Sequence, residues 1–325
     1  MEHWYDLNGG ILRIEMPDEA LLAPLRVYLD ELRCEPTGSA SLFHITIRSS
    51  HELPASEMGR ILYEGPLPDA ANCRLIALPD GRQLVIPGCL SLEISTEKRS
   101  ALFIVAPGQE NHIGGSAGLM AIDAALASCN QHLVHAAALR LPRREAAILL
   151  WAPSGAGKTT SSLALAMQGF ALLTDDATVL ASGGEPTRVW GLPRPLKVHR
   201  RTAAMLPVIG ALLGDAWDSE GEQALHRSAL KAAFDLPPPR PVGVAAMIVV
   251  GPRVTGRHIV RPLPKADVLV KLADNNIRRA VHGVPGDELA RYQSLARAVA
   301  AAPVFELNVG SDLATLGGAL LAAID

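Results

Sequence analysis

The sequence predicts an α/β protein built from two domains, and three observations predict it. The first 110 residues carry short β-branched and aromatic runs between turn signals. From about 119 onward, apolar strands alternate with glycine-bearing loops and helical patterns. Between them lies the glycine-rich stretch GQENHIGGSAG (108–118), which marks a hinge. The expected division is a mostly-β domain over 1–110 and an α/β domain over 111–325.

In the first domain, ILRIEM, SLFHITIRSS, GRILYEG and ALFIVAPG read as strands. CRLIALPDGRQLVIPG places Asp80-Gly81 between two apolar runs, a hairpin signal. DEALLAPLRVYLDELR has helical spacing and reads as a helix. In the second domain, LMAIDAALASCNQ reads as a helix. HLVHAAALRL and EAAILLW read as strands joined across Pro142-Arg143-Arg144. GFALLTDD is a strand expected beside EAAILLW. TAAMLPVIGALL and EQALHRSALKAAF read as helices that stop at DLPPPRP. VGVAAMIVV and FELNV resume the sheet. VLVKLADNNIRRAV, LARYQSLARAVAAA and LATLGGALLAAI read as helices.

Bulk composition narrows the function classes. Of the residues, 49% are apolar and 19% charged, which describes a globular chain. A net charge of −3 with 4% aromatics argues against nucleic-acid or anionic-membrane partners. Cys34, Cys73, Cys89 and Cys129 form no CxxC, which suits a reducing cytoplasm. MEHWYDLNGG lacks the basic-then-apolar pattern of a signal peptide, and no run approaches the ~20 apolar residues of a membrane helix.

APSGAGKTT (152–160) carries the chemistry. The phosphate-binding pattern GxxxxGK[ST] reads AxxxxGKT here, with Ala152 in place of the first glycine. Ser154, Gly155, Ala156, Gly157, Lys158, Thr159 and Thr160 are the expected phosphate cradle. Backbone N–H groups would turn inward at a helix N-terminus, and side chains at Gly155 or Gly157 would obstruct them. Lys158 would reach the β- and γ-phosphates, and the Thr159 hydroxyl would ligate Mg²⁺. Asp175 and Asp176 follow Lys158 by 17 and 18 residues, at the end of an apolar strand. Two acids there can divide labour, one on Mg²⁺ and one taking a proton. KLAD (271–274) is not an NKxD base-reading motif and no LSGGQ follows, which lowers GTPase and transport-ATPase readings. PRPLKVHRR concentrates Arg194, Lys197, Arg200 and Arg201, suited either to phosphate or to solvent. Residues 203–236 read equally as a lid or as a helical insertion.

HAAALRL through AILLWAPSGAGKTTSSLALAMQGFALLTDDATVL resembles the catalytic core of the HPr kinase/phosphorylase superfamily, whose nucleotide site is related to that of phosphoenolpyruvate carboxykinase. The resemblance covers about 130–180. It implies an α/β P-loop core that uses ATP and Mg²⁺, with Thr159 and Asp176 on the metal. It implies Asp175 as the base toward a serine hydroxyl and His135 beside the site. The implied acceptor is a peptide or protein, as in the family's members that phosphorylate lasso-peptide precursors. Residues 1–110 do not resemble the regulatory domain of true HPr kinases. A small-molecule or carboxykinase-like phosphotransferase and a non-catalytic ATP-gated binding module stay open, as does assembly into a homo-oligomer.

Overall fold

The structure, a computed structural model, describes residues 1–36, 43–54, 59–153, 155–181, 186–273, 276 and 288–325. It is mixed α/β. Two compact units emerge, Met1–Leu133 and Val134–Asn276 with Leu289–Asp325. The division falls after Leu133 and not near 110, because the Ser116–Ala127 helix packs on strands of the first unit. Asp69 accepts from the Ser116 N–H at its N-terminus, 3.1 Å away. Among the described residues, no helix is long and apolar enough to cross a membrane.

The first unit is a nine-stranded sheet among the described residues. Glu2–Asp6 and Ile11–Glu15 pair antiparallel. Phe43–Ser49 joins Ile11–Glu15 and Ser100–Val105 in parallel register. Ser100–Val105, Leu90–Ser95, Gly81–Ile86, Ala70–Leu78 and Arg60–Leu67 then continue as an antiparallel meander. The expected hairpin forms, with Leu78 opposite Gly81. A Cβ on Gly81 would lie 1.8 Å from the Ile94 carbonyl oxygen, so close approach demands the glycine. The helix expected over DEALLAPLRVYLDELR forms only as Ala23–Leu29 between two 3₁₀ turns. Pro24 has no N–H and sits in the first turn, where a helix can only begin.

The second unit centres on the Ala146–Trp151 strand that leads into the glycine loop. Val242–Val250 pairs parallel on one edge, and Ala137–Arg140 antiparallel on the other. Ala171–Thr174 pairs with Ala137–Arg140 and so lies one strand away from the loop strand, not beside it as expected. Both edges of the loop strand are already taken, one of them by the hairpin turned at Arg143 with its φ of 60°. Two antiparallel steps restore direction, so Ala171–Thr174 still ends where the loop begins. HLVHAAALRL breaks into Gln131–Val134 and Ala137–Arg140. Between them the His135 N–H donates to Asn276 Oδ1 at 2.6 Å and leaves the ladder.

Pro207 splits TAAMLPVIGALL into Arg200–Met205 and Pro207–Gly210. EQAL is not helical: Glu222–Leu225 is a strand antiparallel to Leu196–His199, and only Arg227–Lys231 coils into a helix. Thr178–Ala181 and Arg188–Gly191 form a further antiparallel pair. Val304–Asn308 lies parallel to Val242–Val250, and Ile259–Pro262 pairs with it. Glu288–Ala301 and Leu316–Ile324 are helices as expected. Of VLVKLADNNIRRAV, the helix Lys265–Ala273 is described, and 274–275 and 277–281 lie outside the described residues.

Leu163 and Leu165 of the Lys158–Ala166 helix share one buried core with Ile148, Leu150, Ala246 and Ile248 of the sheet. This packing orients the helix N-terminus at the strand ends. Leu163→Ala should therefore cost about 2–5 kcal/mol in urea unfolding, the range for truncating a fully buried leucine.

Candidate phosphate-binding site

The Lys158–Ala166 helix begins immediately after Gly157, whose φ is 96°, and Gly155 has a φ of 77°. Only glycine adopts these values without strain. Among the described residues, chain neighbours aside, no atom lies within 4 Å of where a Cβ would stand at either position, so the backbone faces open space. Ala152 is buried in the core and is not among the residues with positive φ. Its backbone conformation therefore does not require glycine. Ser154 lies outside the described residues.

A cavity of about 620 Å³ opens over this loop. Gly155, Ala156, Gly157, Lys158, Thr159 and Thr160 line it, together with Asp175, Asp176 and His135. These sequence-predicted residues are thus brought together. Lys158 is buried. Its Nζ donates to the Asp175 carbonyl oxygen at 2.7 Å and to Asp176 Oδ1 at 2.5 Å. Thr159 Oγ1 donates to Asp175 Oδ2 at 2.7 Å. Thr159 thus meets Asp175 and not Asp176. Asp175 is buried, and its Oδ1 has no hydrogen-bond partner among the described residues.

Asp176 collects the remaining charge. His135 Nε2 lies 3.0 Å from Oδ1 and Arg194 Nη1 3.5 Å from Oδ2. Burial would push its carboxyl up. The hydrogen bond from His135 and the charges of Lys158, His135 and Arg194 outweigh that and hold it well below the usual carboxylate range. A depressed folded-state value stabilises the fold in full above the unfolded value of about 3.9, and that contribution is lost progressively as pH falls from there through the folded-state value. The melting-temperature gap between wild type and Asp176→Asn should narrow as pH falls from about 5 toward about 2.

The basic run 194–201 divides. Arg194, Lys197 and Arg201 line the cavity, whereas the Arg200 guanidinium lies over Trp217 at 5.5 Å. Met205 and Glu222 of the 203–236 segment also line the cavity. Two participants carried no signal in the sequence. Thr202 shares a 2.8 Å hydrogen bond with Thr160, and Asn276 holds the His135 backbone. Each acts across a long sequence separation, and no local pattern announces it.

The site offers oxygen donors at Thr159 and Asp175, cations at Lys158 and Arg194, and open backbone at a helix N-terminus. It can bind a polyphosphate and bring a carboxylate to its far end. No family model matches the chain, and no curated protein matches it.

Proposed function

We propose that the protein is an ATP- and Mg²⁺-dependent kinase that phosphorylates a serine or threonine hydroxyl of a peptide or protein. The proposed core is of the P-loop HPr kinase and phosphoenolpyruvate carboxykinase type. The observation that carries the reading is the arrangement of Lys158, Thr159, Asp175, Asp176 and His135 around one cavity at the helix N-terminus.

In this reading the loop N–H groups and Lys158 hold the ATP phosphates. Thr159 Oγ1 and the Asp175 carboxylate would hold Mg²⁺. Both are hard oxygen donors, and Asp175 Oδ1 is an orphaned buried acceptor, which fits such an ion. The bound ion would neutralise charge on the β- and γ-phosphates. The roles implied by the family resemblance are then exchanged, with Asp175 on the metal and Asp176 toward the acceptor.

A polyphosphate competes with Asp176 for the Lys158 ammonium and the Arg194 guanidinium. Asp176 then faces the incoming hydroxyl with His135 at its side. The hydroxyl oxygen bonds to the γ-phosphorus, the bond from phosphorus to the ADP oxygen breaks, and the hydroxyl proton passes to Asp176 Oδ. A depressed carboxylate suffices, because a loose transition state asks mainly for orientation of the nucleophile.

Incubation with γ-labelled ATP and Mg²⁺, against a serine-peptide library and against a metabolite pool, tests the reading. Label on peptides is the expected outcome. Label on metabolites would point to a small-molecule phosphotransferase, and tight ATP binding with no transfer to a binding module.

A further inference from the structure

A second cavity, of about 380 Å³, opens beside the phosphate loop within the same unit. Trp151, Val249, Val250 and Leu272 give it apolar walls, and Lys271 and Glu306 add charge. His135 and Ala156 line both cavities. Pro153, Gly251 and Pro252 also line both, so the shared wall runs from the glycine loop to His135, which contacts Asp176. Thr160, Ser161, Met205 and Leu313 line only the larger one, which leaves that cavity room for the nucleoside beyond the phosphates.

Among the described residues, two cations meet one carboxylate at the second cavity. Glu306 is buried, and Arg261 Nε already donates to its Oε2 at 2.7 Å. Lys271 Nζ reaches Oε1 only at 3.4 Å and is half-exposed. One carboxylate therefore faces two cations. The Lys271 ammonium has three N–H donors and can serve another oxygen.

We propose that this cavity is an acceptor subsite. It takes an apolar side chain neighbouring the phosphorylated serine or threonine, while Lys271 donates to a backbone carbonyl of the same peptide. The proposal rests on the kinase reading for what lies at Asp176. An apolar slot that meets Asp176 at His135, with a half-exposed ammonium held to Glu306 at only 3.4 Å, matches a peptide better than a second phosphate group.

The test uses serine hexapeptides flanked by Phe, Leu, Gly or Asp. Their affinity for the full chain, loaded with Mg²⁺ and a non-hydrolysable ATP analogue, is measured by calorimetry. Transfer from γ-labelled ATP is measured in parallel. Phe- and Leu-flanked peptides should bind at least about tenfold tighter than Asp-flanked ones. Leu272→Phe, which fills the cavity, should erase that preference and leave the affinity for the ATP analogue unchanged. Lys271→Ala, at a half-exposed position, should weaken all the peptides about fivefold and keeps the test readable if Leu272→Phe does not fold. Equal affinities across the panel, or no effect of Lys271→Ala, would overturn the assignment. Loss of affinity for the ATP analogue in Leu272→Phe would also overturn it and give the cavity to the nucleobase. Flank-dependent binding without any transfer would keep the subsite and reject the kinase reading.

Discussion

Lys158→Ala is expected to lower phosphate transfer at least about a thousandfold, a loss of roughly 4 kcal/mol of transition-state stabilisation. The Lys158 ammonium sits at the start of the helix, within reach of Asp176 and of the Asp175 carbonyl. It would move to phosphate oxygens when ATP binds. Arg194 approaches Asp176 from the Oδ2 side. The variant should also bind ATP more weakly, read by calorimetry. Wild-type transfer by purified, folded Lys158→Ala would remove the phosphate-loop reading.

The second large effect separates the two aspartates. Asp176→Asn is expected to lower kcat about a hundredfold to a thousandfold while Mg²⁺-ATP affinity stays within a few-fold. An amide can still accept from His135 but cannot take the hydroxyl proton. Asp175→Asn is expected to act differently. It removes the carboxylate charge beside Thr159, so the Mg²⁺ concentration for half-maximal transfer should rise at least about tenfold. Titration of transfer against Mg²⁺ for both variants decides the matter. If Asp175→Asn loses kcat at saturating Mg²⁺ and Asp176→Asn shifts the Mg²⁺ requirement, the roles return to those the family resemblance implies.

Much of the site was legible because its parts are local. Gly155 and Gly157 take left-handed φ values within one turn of chain, and Lys158 and Thr159 open the helix that follows. Asp175-Asp176 end an apolar run, a pattern that survives any choice of neighbouring strand. The backbone at Ala152 has no positive φ and so needs no glycine, which is a local matter too. Where the reading from sequence missed, proline or pairing overrode periodicity. Pro24 and Pro207 cut helices that apolar spacing alone would continue. EQAL became a strand because LKVH offered it an edge.

The sequence by itself determined the glycine loop, the helix that follows it and the acid pair one strand later, because each depends on backbone preference and spacing over a few residues. Only the tertiary structure decided that Ala137–Arg140 inserts between the loop strand and the acid-bearing strand. That insertion carries His135 to Asp176 and leaves Asp175 to Thr159. Strand order and register are set by long-range burial, so which of two adjacent carboxylates faces the helix and which faces the histidine is written in the packing of the sheet.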